Sequence, residues 1–432
     1  MRLASLFLML AVWLSATTAQ AAPASPPYPD TPYPGGVENP TIAIVGGTVH
    51  DGTGKVWKDA VVEFKGDRIV RVGTGAPSKG AQVVDAKGKI VTPGLIAAST
   101  TLGLVEIGAE SSTRDTSRNT DDPIRANYDV SVAINANSTL LAVQAIDGIT
   151  TAASTPQGGL ISGQVAWIDL LPGRHHNIVA RPRVAVAASL GQRVHGSRAA
   201  AFARLVEVLD DARFYQSRKA AFDRRSSRDL AAHRLDLDAL GPVLGRSIPL
   251  VIEAHRASDI LAAVELAKTQ KLRIVIVGGT QAWQVAGFLA DAKVPVIVHP
   301  STNLPGSFER VGARLDNAAK LHEAGVTVGI AVLGEAHNVR NVTQEAGIAI
   351  ANGLPREVAL QAVTHTIATA YGMDALYGSL APGKVANVVV WPDDPFELST
   401  VPDAVYIRGG SIPLRSRQTE LRDRYIERLG VR

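Results

Sequence analysis

The sequence predicts an α/β protein: a (β/α)8 barrel of the TIM type with a composite β-sandwich built from both ends of the chain. Residues 41–92 and 376–414 consist of short Val- and Ile-rich runs between Gly and Asp-Gly turns, which is typical of a small sheet. Between them, residues 93–375 alternate apolar strands with amphipathic helical stretches. Strands that are apolar on both faces indicate a parallel sheet covered by helices. An open doubly wound sheet is the weaker alternative, because no G-x-G-x-x-G follows the first strand.

The composition fits one large globular core. The chain has 432 residues, 46% hydrophobic and 19% charged, with a formal net charge of +4. So small a charge without a basic-aromatic stripe argues against nucleic acid as a partner. The chain has no cysteine, which excludes disulfides and thiolate metal ligands.

The N-terminus has the pattern of an export signal. Arg2 precedes an apolar run over residues 3–14, and Ala19-Gln20-Ala21 matches an A-x-A cleavage site. The run is shorter than the roughly 20 residues that span a bilayer, so a membrane anchor is the weaker alternative. We expect a signal peptide at residues 1–21, a Pro-rich linker at residues 22–40, and a periplasmic protein with no transmembrane segment after signal removal.

The barrel strands and flanking helices are predicted in chain order. The first strand runs into Pro93-Gly94 and the segment after it. The later strand candidates are residues 148–154, 183–191, 248–255, 272–279, 294–300 and 326–334. Residues 214–246 are charged and helical, which predicts an excursion outside the barrel. Residues 415–432 predict a basic tail helix, in which Leu421, Tyr425 and Leu429 form one narrow apolar stripe.

Several segments resemble the amidohydrolase superfamily, in particular its exported imidazolonepropionase-like group. Pro93-Gly94-Leu95-Ile96 opens the barrel, and the resemblance continues through GITTAASTPQGGLISGQ (148–164), IPLVIEAHRASDI (248–260), GGTQAWQVAGFLADAKVPVIV (278–298) and LYGSLAPGKVANVVVWPDDP (376–395). The resemblance implies a hydrolase acting on carbon-nitrogen, non-peptide bonds. It also implies one or two divalent metals at the barrel mouth, which lower the pKa of a bound water. Ancestry by itself does not assign the activity.

The positions that match the family's metal ligands carry other residues. In the first-strand motif P-G-L-I-D-x-H-x-H, the aspartate position is Ala97 and the histidine positions are Ser99 and Thr101. The position of the bridging lysine is Ala187, and no lysine lies between Lys89 and Lys219. The remaining ligand positions, on the fifth, sixth and eighth strands, are Glu253, Gly278 and Leu333. Because a hydroxyl is a poor zinc ligand beside imidazole, we expect no metal and no other cofactor at this site.

A rebuilt site is the alternative, and its candidates are Glu253, His255, His299 and Glu335. Glu253 and His255 are two residues apart and share one face of a strand. They could form a residual metal site or a metal-free acid-base pair. The interpretation we favour is that they are hydrogen-bonded polar residues in the space that the metal occupies in relatives. Zinc or another divalent metal is expected only if these residues form a new site.

Three functions remain open from the sequence. The favoured one is a non-catalytic homologue that acts as partner subunit to a catalytically intact amidohydrolase paralogue or to itself as a homodimer. The second is a true carbon-nitrogen hydrolase with a rebuilt site near Glu253 and His255. The third is a periplasmic protein that binds a small molecule at the barrel mouth.

Overall fold

The computed structural model of the chain describes residues 40–117, 121–191, 195–224, 228–302 and 305–430. The predicted signal peptide lies outside the described residues, and so does the predicted linker apart from residue 40. In the described part of the chain, no helix is both long enough and apolar enough to cross a membrane.

The strands and helices alternate through most of the described chain. The strands are β1 (Thr41–His50), β2 (Val56–Lys65), β3 (Arg68–Thr74), β4 (Gln82–Asp85), β5 (Ile90–Pro93), β6 (Leu95–Thr100), β7 (Ile149–Ser154), β8 (Ile161–Asp169), β9 (Val179–Ser189), β10 (Leu250–Ala254), β11 (Ile274–Gly278), β12 (Val296–Val298), β13 (Val328–Ile330), β14 (Val388–Trp391), β15 (Ala404–Ile407) and β16 (Gly410–Ser411). The helices are α1 (Thr139–Ala145), α2 (Arg198–Asp223), α3 (Arg234–Ala239), α4 (Gly241–Leu244), α5 (Ala257–Gln270), α6 (Ala286–Asp291), α7 (Asn317–Glu323), α8 (Val342–Ala351), α9 (Arg356–Ala362), α10 (His365–Tyr371) and α11 (Arg417–Leu429).

One sheet joins the two ends of the chain. Its strand order is β16-β15-β14-β5-β1-β2-β3, with β4 paired to β1, and β14 is antiparallel to β5. The register of β1 shifts on either side of Gly47, so its first half pairs with β4 and its second half with β5. The strands cover a core that includes Ile44, Val62 and Phe64. This arrangement confirms the composite sheet domain.

The second sheet forms a nearly closed barrel with strand order β13-β12-β11-β10-β9-β8-β7-β6. Its two ends meet through backbone hydrogen bonds, in which Gly334 donates to Ser99 and Thr101 donates to Glu335. A large apolar cluster between the barrel and its helices includes residues from α2, α5 and α8. The predicted TIM-type fold class is therefore confirmed.

The barrel is not a uniform repeat of βα units, because β8 runs antiparallel to both β7 and β9. Only residues 155–160 connect β7 to β8, and a parallel crossover needs a dozen or more residues. The chain therefore turns back as a hairpin at Gly158 and Gly159, which have φ angles of +86° and +76°. The sequence reasoning did not include β8 among the predicted strands.

The predicted helical excursion and tail helix have different degrees of burial. The segment 214–246, predicted to be an excursion, packs on the barrel instead, because Tyr215, Leu237 and Val243 are buried in the large apolar cluster. On α11, by contrast, the predicted stripe of Leu421, Tyr425 and Leu429 is exposed.

A buried polar network joins the barrel to the sheet domain. Asp169, at the end of β8, is fully buried and accepts hydrogen bonds from Thr151, Asn387 and Tyr377. The guanidinium of Arg408 lies 3.9 Å from its carboxylate. Burial raises the pKa of Asp169 to about 6, although Arg408 and the three hydrogen bonds act in the opposite direction.

Candidate functional site

The C-terminal ends of the barrel strands surround a cavity of about 450 Å³. The four residues singled out from the sequence, Glu253, His255, His299 and Glu335, all line it. The cavity therefore lies at the barrel face where enzymes of this fold place their working residues.

Most of the positions that the resemblance matches to the family's metal ligands line the same cavity. Ser99, Ala187, Glu253, Gly278 and Leu333 contribute to its wall. Thr101 does not line the cavity; it is buried behind the wall, with its backbone N–H bonded to the carbonyl of Glu335. The barrel strands thus bring these positions together at one cavity, but most of the side chains at these positions cannot coordinate a metal.

The hydroxyl of Ser99 contacts the hydroxyl of a tyrosine. Ser99 is the second-last residue of β6, the first barrel strand, and has the left-handed conformation, with φ +47°. Its Oγ lies 3.1 Å from the hydroxyl of Tyr371. Burial raises the pKa of Tyr371 to about 12, so this phenol is neutral near pH 7. A neutral phenol is a poor proton acceptor, so Tyr371 does not supply the base that a serine nucleophile needs.

His255 is the centre of the polar contacts in the cavity. Its Nδ1 lies 2.8 Å from Thr280 Oγ1, and its Nε2 lies 3.3 Å from Glu253 Oε1 and 3.2 Å from Arg310 Nη2. Arginine can only donate, so the contact with Arg310 is a hydrogen bond only when Nε2 carries no proton. When Nε2 carries a proton, it donates to Glu253 instead. The two hydrogen bonds are mutually exclusive.

Glu253 supplies a fixed negative charge to the cavity. Its hydrogen bond with His255 holds the pKa of Glu253 below the ordinary value, and the charges of His255 and Arg310 act in the same direction. Desolvation opposes this effect without outweighing it. The side chain is 54% exposed, so an ionised carboxylate faces the cavity at neutral pH.

The ring of His255 fills the space beside Gly278, at the end of the neighbouring strand β11. A Cβ atom built on Gly278 would lie 2.5 Å from His255 Cε1, which is closer than real Cβ atoms approach. Gly278 also has φ +89°, a conformation that disfavours side chains. A histidine at the sixth-strand position of the family therefore cannot coexist with His255 in its present place.

His299 and Glu335 take no part in the His255 contacts. His299 Nε2 lies 3.5 Å from Oε1 of Glu345, whose Oε2 accepts a hydrogen bond from the backbone of Ser301. Burial acts to raise the pKa of Glu345, but these two hydrogen-bond partners outweigh it and the net shift is downward. Glu335 is exposed, and its backbone carbonyl, rather than its carboxylate, closes the barrel.

Arg310 is the residue that sequence reasoning missed. It lies on a single 3-10 turn, Phe308–Arg310, in the connection after β12. Arg198 anchors this turn through ion pairs with Glu309 at 2.5 Å and with Asp259 at 3.1 Å. No motif in the segment around Arg310 indicates a site, because its partner His255 is 55 residues away in the chain.

Comparison with known proteins finds similarity to amidohydrolases. Residues 251–412 match the sequence profile of the amidohydrolase family. The chain is also 22% identical over 400 residues to Amidohydrolase tasK from Hapsidospora irregularis. The chain is thus similar to the amidohydrolase family, with the profile match over residues 251–412. The alignment covers 83% of this chain and 40% of the relative, so the chain spans less than half of that protein's length.

Solved structures share the amidohydrolase fold. An amidohydrolase from Thermotoga maritima superposes with a TM-score of 0.78 at 24% identity, covering 87% of this chain and all of that one. Molinate hydrolase gives 0.55 at 17% identity, covering 87% and 95% of the two chains. A Xaa-Pro dipeptidase with bound methionine gives 0.55 at 15%, covering 86% and 99%. At these identities the likeness extends to the fold alone.

The donor set at the mouth does not fit the metal of the amidohydrolase family. Ala187, Gly278 and Leu333 carry no donor side chain, and the Ser99 hydroxyl is bonded to Tyr371. The guanidinium of Arg310 lies against His255 Nε2, where a bound cation would meet a like charge. Within the described ranges, no three His, Cys, Asp or Glu side chains are grouped closely enough to hold a metal ion. A catalytic zinc normally has three protein ligands.

Proposed function

We propose that this chain is a metal-independent member of the amidohydrolase family that binds a small zwitterionic solute at its barrel mouth. The observation that carries the proposal is the pairing of Arg310 with Glu253 around His255. These residues place a guanidinium and an ionised carboxylate beside the same ring nitrogen, Nε2 of His255. A solute with both a carboxylate and an ammonium group matches this pair of charges.

The rest of the cavity suits a solute of this kind. Its volume of about 450 Å³ is within the ordinary range of small-molecule sites. Ala187, Val251, Val277 and Leu333 provide an apolar part of the wall, and hydroxyl groups such as Ser162 and Thr302 provide a polar part. No carboxylate oxygen of the described residues lies within 4.0 Å of the Arg310 guanidinium, so a ligand carboxylate has no competitor for a direct ion pair.

The test is a panel of amino acids, each compared with the matched amine and the matched carboxylic acid. We expect saturable binding and a raised melting temperature only with the zwitterions, since a ligand that binds the folded state alone stabilises it. Arg310→Ala should weaken binding at least about tenfold, because it removes the charged donor of the ion pair. Arg256→Ala is the control, because Arg256 is exposed and follows His255 but does not line the cavity. Zwitterions that fail to bind, or that bind Arg310→Ala unchanged, would refute the proposal.

A carbon-nitrogen hydrolase with a rebuilt site is the second candidate function. Its support is the contact line from Thr280 Oγ1 through His255 to Glu253, which has the order of hydroxyl, imidazole and carboxylate used in nucleophilic catalysis. Thr280 is 6% exposed, which limits the access of a substrate to its hydroxyl. Turnover of aminoacyl amides or cyclic amides that disappears in His255→Ala would favour this function over solute binding.

The role of partner subunit is compatible with solute binding. Phe308 and Val311 flank the cavity-lining residue Arg310 in the chain and are 94% and 62% exposed. Exposed apolar side chains beside a functional cleft are typical of a protein-protein contact. We propose that another chain, either an intact amidohydrolase paralogue or a second copy of this one, covers these side chains. Replacing Phe308 with Ser should release that chain in co-purification from a periplasmic fraction.

We further propose that the protein acts in the periplasm. The support is the export pattern of residues 1–21 in the sequence. Cell fractionation with an epitope at the C-terminus tests it, and a protein retained in the cytoplasm would refute it.

A further inference from the structure

A second cavity lies at the opposite end of the barrel, where the strands begin. β11 shows the direction of the strands. Its first residue, Ile274, lines this second cavity, and its last residue, Gly278, lines the cavity at the mouth. A strand of five residues separates the two sites by about 15 Å. The cavity has a volume of about 770 Å³, and we call it the basal groove.

The basal groove is strongly basic. Five of the residues that line it are cations: Arg246, Lys268, Lys271, Arg273 and Lys293. Asp374 is the carboxylate among the lining residues. The chain as a whole has nearly equal numbers of basic and acidic residues, 44 and 40, so this local excess is a property of the groove.

Three of these cations occupy an unusual backbone conformation. Arg246, Lys271 and Lys293 have φ angles of +62°, +54° and +54°. Each residue follows a helix and precedes a barrel strand by a few residues. At the corresponding place before β13, the chain has Gly325 with φ +84°. Because the left-handed conformation costs a residue with a Cβ atom about 1 kcal/mol, glycine is the ordinary choice at such helix ends.

Protein stability alone does not account for these cations. A cation near a helix C-terminus gains about 0.3–1 kcal/mol from the helix dipole, which is no more than the backbone cost of the left-handed conformation. Among the described residues, no carboxylate oxygen lies within 4.0 Å of Arg246, Lys271 or Lys293. The three charges thus lie on left-handed backbone turns without an ion-pair partner among the described residues.

Arg273 orders the floor of the groove. Its guanidinium donates to the carbonyls of Thr369 and Ala370 at the end of α10. Burial lowers its pKa, and Asp374 partly offsets this effect. The groove therefore combines an anchored arginine with a rim of exposed lysine and arginine side chains.

We propose that the basal groove binds a phosphate-bearing polyanion. Several cations around one concave site match a ligand with closely spaced negative charges, such as a diphosphate group. The same chemistry is presented by a free phosphorylated small molecule and by the headgroup of an anionic phospholipid. The inference does not depend on the function of the mouth, since the two sites share no lining residue.

The test measures pyrophosphate binding by calorimetry and, separately, binding to vesicles that contain phosphatidylglycerol. The decisive variant is Lys271→Gly/Lys293→Gly, which removes two charges and leaves residues that suit the left-handed turns. We expect its melting temperature to be unchanged or higher, and its affinity for the bound probe to fall about tenfold or more. The control is Lys58→Gln/Lys79→Gln, an equal charge change at exposed positions of the other domain.

The outcomes separate the two ligand sources. Pyrophosphate binding that is lost in the groove variant and kept in Arg310→Ala assigns a free phosphorylated ligand to the groove. Vesicle binding with the same dependence but without pyrophosphate binding assigns a lipid headgroup. Absence of saturable binding to both probes, or an equal loss in the control variant, overturns the proposal. The proposal is also overturned if the groove variant loses stability but keeps its binding, because the cations then only stabilise the helix ends.

Discussion

Arg310 Nη2 lies 3.2 Å from His255 Nε2, so a guanidinium contacts an imidazole at the barrel mouth. Glu253 Oε1 lies 3.3 Å from the same ring nitrogen. A cation and an anion therefore compete for one atom, and the proton on His255 decides which of them is hydrogen-bonded. A ligand carboxylate that engages Arg310 favours the arrangement in which Nε2 donates to Glu253.

Removal of the imidazole should change the ionisation of Glu253. In His255→Ala we expect the pKa of Glu253 to rise toward the ordinary value, because its largest stabilising contact is the hydrogen bond from His255. Arg310→Ala should cause a smaller rise. Carboxyl-detected NMR titration measures both changes, with Glu345 as an internal control because its partner His299 is intact. An unchanged Glu253 pKa in His255→Ala contradicts this account of the contact.

The close approach of His255 to Gly278 should appear as an energetic coupling. Gly278→Ala is expected to lower the free energy of unfolding by about 1–3 kcal/mol, from backbone strain and from the clash with the ring. In His255→Ala the clash is gone and the strain remains, so a double-mutant cycle should give a coupling of about 1 kcal/mol. Gly287→Ala, where nothing lies within 4 Å of the added methyl, is the control. Strictly additive effects would mean that the ring moves aside freely.

Arg198 should position Arg310 without touching the ligand. Arg198→Ala removes the ion pairs to Glu309 and Asp259, so we expect faster amide exchange over residues 305–312 and weaker solute binding. Arg213→Ala on the same helix is the matched control, since its hydrogen bonds are to Gln270, away from the mouth. Rescue by Arg198→Lys would indicate that charge suffices, whereas exchange rates unchanged in Arg198→Ala would exclude the positioning role.

The buried carboxyl of Asp169 should make stability fall as the pH rises from about 4 to about 6. Its folded pKa of about 6 exceeds the unfolded value, so the folded state holds the extra proton in this window. The shift corresponds to about 3 kcal/mol that is present at low pH and lost above the folded pKa. Asp169→Asn should remove this contribution in denaturant unfolding at a series of pH values.

Asp129→Asn is the control with the opposite sign. Although burial of Asp129 acts to raise its pKa, hydrogen bonds from Ser131 and Arg183 lower it overall. The contribution of Asp129 is therefore present above the unfolded pKa and is lost as the pH falls through the folded one. If Asp169→Asn and Asp129→Asn change the pH profile in the same direction, the assignment of Asp169 is wrong.

Metal removal should leave the protein unchanged. Protein purified without chelators is expected to contain well under one zinc per chain, and added zinc should not raise the melting temperature. The reason is the donor set, in which Arg310 occupies the contact at His255 Nε2. Close to one metal per chain, lost in His255→Ala, would instead demonstrate a rebuilt metal site and favour the hydrolase.

The fold was predictable because its determinants are local in the sequence. Strand runs such as residues 248–255 and 272–279 carry their own apolar pattern, and each ends at the cavity in the structure. The resemblance also predicts that Ser99, Ala187 and Gly278 replace ligands of the family's metal, because a family motif aligns by local order, and all three residues line the cavity. The sequence did not indicate the hairpin at β8. All residues of β8 are buried, so the strand lacks the alternation of apolar and polar residues that distinguishes an antiparallel strand.

The sequence by itself determined the barrel, the joined sheet domain and the identity of the residues at the strand ends. Only the tertiary structure decided that Arg310 reaches His255, that this ring fills the space beside Gly278, and that Arg246, Lys271 and Lys293 line one groove. The physical reason is that hydrophobic periodicity specifies which face of an element is buried. Contacts between polar side chains far apart in the chain depend on the path of loops and on strand register, which no local pattern encodes.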